Sequence, residues 1–197
     1  MTQDIANQAV PERWSAGSAG LNDWMDGAAD PRNQEPPAKG ERETLLQYLR
    51  SYRQTLELKC AGLDAEQLAL RSVPPSTMSL LGLVRHLTDV ERYWFRRVMA
   101  GAEAPPLYWS ADVEDADWAG AVADPAVVAG AWRAWREEVA FAEEFGANIP
   151  DVGASVTMTD GTEAELRSLL VHMIDEYARH CGHADLLRER VDGRVGQ

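Results

Sequence analysis

Four stretches of this chain repeat their apolar residues at helical spacing, and none alternates apolar and polar residues for long enough to build a sheet. The first, ERETLLQYLRSYRQTLELKCAGL from Glu41, lines up Leu45, Leu49, Tyr52, Leu56 and Cys60 and is closed by Gly62. The second opens at Ser79 and stops at Gly101; Leu80, Leu83, Val84, Leu87, Val90 and Trp94 form its apolar face, and His86 borders that face. The third begins at Asp124-Pro125, a capping side chain followed by proline in the first turn, and runs to Gly146. The fourth, LRSLLVHMIDEYARHCGHADLLRER, follows Thr162 and Glu165, which match the S/T-x-x-E capping box, and ends near Asp192-Gly193. Four long helices joined by longer connections predict an all-α fold, a four-helix bundle over residues 41–194.

The connections read as irregular. LDAEQLALRSVPP is a turn ending in two prolines, residues 101–123 are a loop, and SVTMT is at most a short extended piece. Residues 1–40 have another texture, with Pro11, Pro31, Pro36, Pro37, many small polar residues and no period, which predicts an extended or flexible arm. Its Trp14 and Trp24 would dock on the domain or on a neighbouring subunit, the latter implying a homodimer.

A formal net charge of −13 and a pI near 4.7 argue against nucleic acid and anionic membrane surfaces as partners, since both demand a basic face. No apolar run is long enough to span a bilayer, and MTQDIANQAVPERW lacks the basic start and apolar stretch of a signal peptide. A cytoplasmic location is expected. Cys60 and Cys181 alone make no disulfide framework.

Three of the four histidines fall within HMIDEYARHCGHADLLRER. At about 100° per residue, His172, Glu176, His180 and His183 project from one stripe with an arc of roughly 80°. The apolar Leu169, Met173 and Leu187 lie beside it, so metal-capable groups face the core or a pocket. Imidazoles and carboxylates out of water must bond one another, line a wet cleft or hold a cation. For a cation, another helix must supply a third ligand, and His86 is the remaining histidine. His86, Glu176 and His180 would form a two-His, one-carboxylate set with positions left open for water or substrate.

SLLGLVRHLTDVERYWFRRVMAGAEAPPLY and LVHMIDEYARHCGHADLLRERVDG together resemble the actinobacterial branch of the DinB-like superfamily, a resemblance that covers about residues 37–194. It implies a four-helix bundle with one divalent metal, held by a histidine of the second helix and two residues four apart on the last. By that match the ligands are His86, Glu176 and His180. Members of known activity are similar to thiol transferases that use bacillithiol or mycothiol, and to a mycothiol-dependent maleylpyruvate isomerase that shares the Glu-x-x-x-His pair. This chain has no counterpart of the isomerase's additional C-terminal domain, so the isomerase reaction itself is not expected.

The resulting expectation is a metal-dependent enzyme, with zinc the first choice and nickel, iron or manganese the other ions, acting on a low-molecular-weight thiol such as mycothiol. The metal would bind the sulfur and favour its thiolate, and the small-molecule electrophile would be an epoxide, a haloalkane or an activated intermediate. Glu176, offsetting the metal's charge, and His183, one turn beyond His180, are the candidate catalytic groups. Tyr93 and Trp94, with Trp109, would wall the cofactor and substrate pocket. His172 does not map to a ligand, and Cys181 projects roughly 100° away from His180. The alternatives are a non-catalytic binding module that sequesters a small molecule or metal, a polar core without a metal, and a metal-dependent hydrolase or isomerase.

Overall fold

The computed structural model describes residues 29–113 and 115–195. The earlier part of the arm, with Trp14 and Trp24, lies outside the described residues. From Asp30 onward the chain runs against the first long helix. Asp30 is buried and caps a 3₁₀ turn, Pro31–Asn33, by accepting from the Arg32 amide. Arg32 donates onward to Thr55 at 3.2 Å, and Gln47 accepts from the Ala38 amide.

The described residues are overwhelmingly helical, as an all-α fold requires. Helix α1 is Glu41–Cys60, and Leu49, Leu56 and Cys60 of its stripe are buried. The segment read as a turn contains a short helix, α2 (Ala65–Ala69), started by a reciprocal capping box between Asp64 and Gln67. Helix α3 (Leu80–Glu91) is capped by Ser79, whose hydroxyl accepts from the Gly82 amide. It continues without a break into a π-helical stretch, Arg92–Met99. The loop before the third long helix carries a four-residue helix, α4 (Ala116–Ala119). Helix α5 is Pro125–Ala147, capped by Asp124. Helix α6 is Leu166–Asp192, ended by Gly193 in the left-handed conformation that glycine adopts without steric cost.

Two strands, β1 (Ser155–Thr157) and β2 (Glu163–Glu165), pair antiparallel and are the only sheet among the described residues. They overturn the capping box expected at Thr162 and Glu165. Thr162 instead donates to Asp160 at 2.7 Å, residues 163–165 extend into β2, and α6 starts at Leu166 with no side-chain cap. An Asp160-centred turn competed for the same hydroxyl and won it.

The long helices bury their stripes against one another, α1 on α6 and α3 on both α5 and α6. Leu81, Leu83, Val84, Leu87, Leu170 and Met173 are all fully enclosed. Burying each such side chain contributes about 1.5–3 kcal/mol. No described helix is long and apolar enough to cross a membrane.

One polar chain runs through this core and touches all four long helices. Arg53 of α1 grips Glu91 of α3 with two bonds of 2.7 Å. Tyr177 of α6 donates to Glu91 at 2.8 Å, and Trp135 of α5 donates to Tyr177 at 2.9 Å. Burial, then the Glu91 carboxylate, pushes the Tyr177 phenol well above its usual range, so it remains a donor.

Candidate metal centre

Helix α6 carries Glu176 and His180 one turn apart, and helix α3 packs beside it carrying His86. One ligand atom from each of the three lies within 4.8 Å of the others. The rings of His86 and His180 are 4.8 Å apart at their centroids. His180 is buried, while His86 and Glu176 are partly open.

Each imidazole is held by its second nitrogen. His86 Nδ1 is 2.9 Å from an oxygen of Asp117, which leaves Nε2 free to face the centre. His180 Nδ1 is 3.3 Å from His183 Nδ1, and its Nε2 lies 3.6 Å from Glu176. A hydrogen bond at one ring nitrogen fixes the tautomer and the ring's orientation, as outer partners do for metal-bound histidines. Burial first, then His86 and His183, lowers the His180 pKa to about 4. Its lone pair is therefore available at neutral pH.

Asp117 was not anticipated from the sequence. It sits in the acid-rich run DVEDADW, where no spacing separates it from its neighbours. Two glycines bring it to His86. A Cβ at Gly82 of α3 would stand 2.6 Å from the Trp118 ring, and a Cβ at Gly120 would collide with the Arg85 guanidinium. Without these side chains α4 lies flat on α3, Trp118 stacks on His86 with centroids 5.2 Å apart, and Asp117 meets the imidazole. Burial alone would raise the Asp117 carboxyl, but its hydrogen bond and electrostatic attraction to the His86 ring bring it below the usual carboxylate range.

The other candidate residues divide between this centre and its surroundings. His172 is 3.9 Å from Glu176 and packs on the Trp94 ring at 4.5 Å. Cys181 turns away toward α1, where its sulfur donates to the Tyr52 carbonyl at 3.6 Å, and burial pushes its thiol up to about 12. Tyr93, Trp94 and Trp109 line a cavity of about 450 Å³ that reaches the centre at His86 and Asp117. The Tyr93 hydroxyl lies 3.1 Å from that of Thr159 beyond the hairpin's first strand. Asp89, also on the cavity wall, accepts from the amides of Leu107, Tyr108 and Trp109 and so pins the covering loop.

Two imidazoles and one carboxylate are a donor set that could hold a borderline divalent cation. With bonds of about 2.1 Å, ligand atoms around one ion stand within about 4.2 Å of each other, so small side-chain rotations would complete the set.

The family model for mycothiol S-transferases matches residues 44–193. No curated protein and no solved structure matches the chain.

Proposed function

Because the chain belongs to the mycothiol S-transferase family, we propose that it transfers a low-molecular-weight thiol of the mycothiol type to a small electrophile, at a divalent metal held by His86, Glu176 and His180. The observation that carries this reading is the convergence of those three donors, with both imidazoles oriented from behind, beside an aromatic-walled cavity. A bound zinc ion would supply stabilisation of the thiolate at neutral pH, where a free thiol with a pKa of about 8.5 is mostly protonated.

The chain's own residues do the rest. Asp117 holds His86 with Nε2 toward the centre and stabilises any positive charge that the ring acquires. His183 fixes the tautomer of His180 from outside and acts as a positioning group rather than as a proton carrier. Glu176 contributes the one negative charge of the ligand set, leaving a net positive centre that attracts a thiolate. Tyr93, Trp94 and Trp109 offer flat apolar walls for the electrophile. Cys181 takes no part, since its buried thiol points to α1.

Incubating the protein with mycothiol and a panel of epoxides and alkyl halides tests the reading. Thioether conjugate should form with the metal-loaded protein, stop on chelation, and resume on adding zinc back. Binding of thiol and metal with no conjugate from any electrophile would favour a sequestering module instead.

A further inference from the structure

The cavity beside the metal centre has a charged far end. Its wall follows α3 and the π-helical stretch from His86 through Val90, Tyr93 and Trp94 to Arg97. Roughly 15 Å of helix rise separates His86 from Arg97. The other ionic groups on this wall are already satisfied. Asp117 is bonded to His86, Asp89 accepts three backbone amides, and Arg92 donates to Glu138 and to the Pro105 carbonyl. Arg96, which neighbours Arg97 in sequence, is likewise paired with Glu138. Arg97 has no carboxylate or carbonyl partner among the described residues; its guanidinium instead reaches back over the Tyr93 ring, 5.9 Å from the centroid. Tyr93, Trp94 and Arg97 of this stretch all lie on the cavity side.

We propose that the electrophile is a carboxylate, with Arg97 binding its anionic end, an apolar planar body lying on Tyr93 and Trp94, and the reacting carbon directed to the His86 end. This rests on the thiol-transfer reading for what happens at that end, but the anchor itself does not. A guanidinium suits a carboxylate because its planar fork offers two parallel donors. Arg97 is exposed at the outer end of the cavity, so the pair forms at its mouth while the apolar body lies on the aromatic walls. In the transfer step the thiolate sulfur forms a bond to carbon as the carbon–oxygen bond of an epoxide, or the carbon–halogen bond of a halide, breaks. The electron pair leaves with the oxygen, which takes a proton from water, or with the halide, and no oxidant or reductant is needed. Holding the carboxylate at a fixed distance selects which carbon meets the sulfur.

Calorimetric titration with phenylpropionate and with its neutral amide tests the anchor. A carboxylate could also ligate a metal, so the decisive titration uses chelated full-length protein. There the acid should bind about two- to fivefold more tightly than the amide, the ratio expected of one ion pair at an exposed guanidinium. Arg97→Gln should bring the ratio to about one, Arg97→Lys should retain part of it, and Arg71→Gln, at an exposed position outside the cavity wall, should leave it intact. Equal binding of the two probes, no binding of either at about 10 mM, a preference that disappears on chelation, or one that survives Arg97→Gln would each overturn the proposal. Conjugation confined to neutral electrophiles would overturn it too while leaving thiol transfer standing. An Arg97-dependent preference in a protein that never forms conjugate would uphold the anchor and defeat the transfer.

Discussion

His180 occupies a buried position where a charged imidazole is unwelcome, and its pKa of about 4 expresses that cost. In the unfolded chain the same ring titrates near 6.5. Between those values the unfolded chain binds a proton that the folded chain refuses, so falling pH favours unfolding. Metal-free protein should therefore lose stability as pH drops through 6.5 toward 4, by up to about 3 kcal/mol from this group, and lose none above that window. Urea midpoints for wild type and His180→Gln across the range measure this, and a difference between them that does not vary with pH would contradict it. With metal, the same residues should behave unequally. His86→Ala or His180→Ala should each abolish stoichiometric zinc, and Asp117→Asn should weaken its binding about 10- to 100-fold. His172→Gln and Cys181→Ala should leave the stoichiometry unchanged. Elemental analysis of the purified variants decides the matter, and equal loss in all of them would mean that the ligands are wrongly assigned. Helical spacing alone puts His172, Glu176, His180 and His183 on one stripe, whereas His86, on another helix, was reached as the remaining histidine and through the family resemblance. Asp117 was not legible, because its position depends on the absence of side chains at Gly82 and Gly120, which no local pattern announces.

At the scale of elements, apolar periodicity marked all four long helices, since each buries one face. It could not mark the change of winding at Arg92, because RYWFRRVM carries no residue that separates a π turn from an α turn. Of the hairpin, whose strands are three residues each and mostly exposed, only the first was foreshadowed, by the short extended piece at SVTMT. The polar chain Arg53–Glu91–Tyr177–Trp135 was equally hidden, because its members lie on four different segments. It joins helices α1, α3, α5 and α6 at one level of the core. Glu91→Gln leaves the Arg53 guanidinium buried without its counter-charge and should cost about 3–5 kcal/mol in chemical denaturation. Replacing both partners together, Arg53→Met with Glu91→Leu, should recover most of that loss, since the pair's attraction roughly offsets its desolvation. A double variant as unstable as the single one would show that the network's value lies elsewhere than in charge pairing.

For the molecule as a whole, the helices supply a frame in which a donor set from α3 and α6 meets a cavity walled by the π-helical stretch and the loop that Asp89 pins. Net charge sets the outside, at −13, but the cavity carries a cation at one end and would carry a metal at the other, so an acidic exterior encloses a site suited to anions. That contrast, and the family to which residues 44–193 belong, leads to the central claim that the three-residue centre binds metal and presents it to a thiol. The most direct measurement is a titration of the cobalt-loaded protein with mycothiol, followed by absorption. A saturable sulfur-to-cobalt charge-transfer band should appear, with close to one proton released per thiol at pH 7, and it should be missing in His86→Ala. Cobalt held stoichiometrically with no spectral change at millimolar thiol would contradict the account.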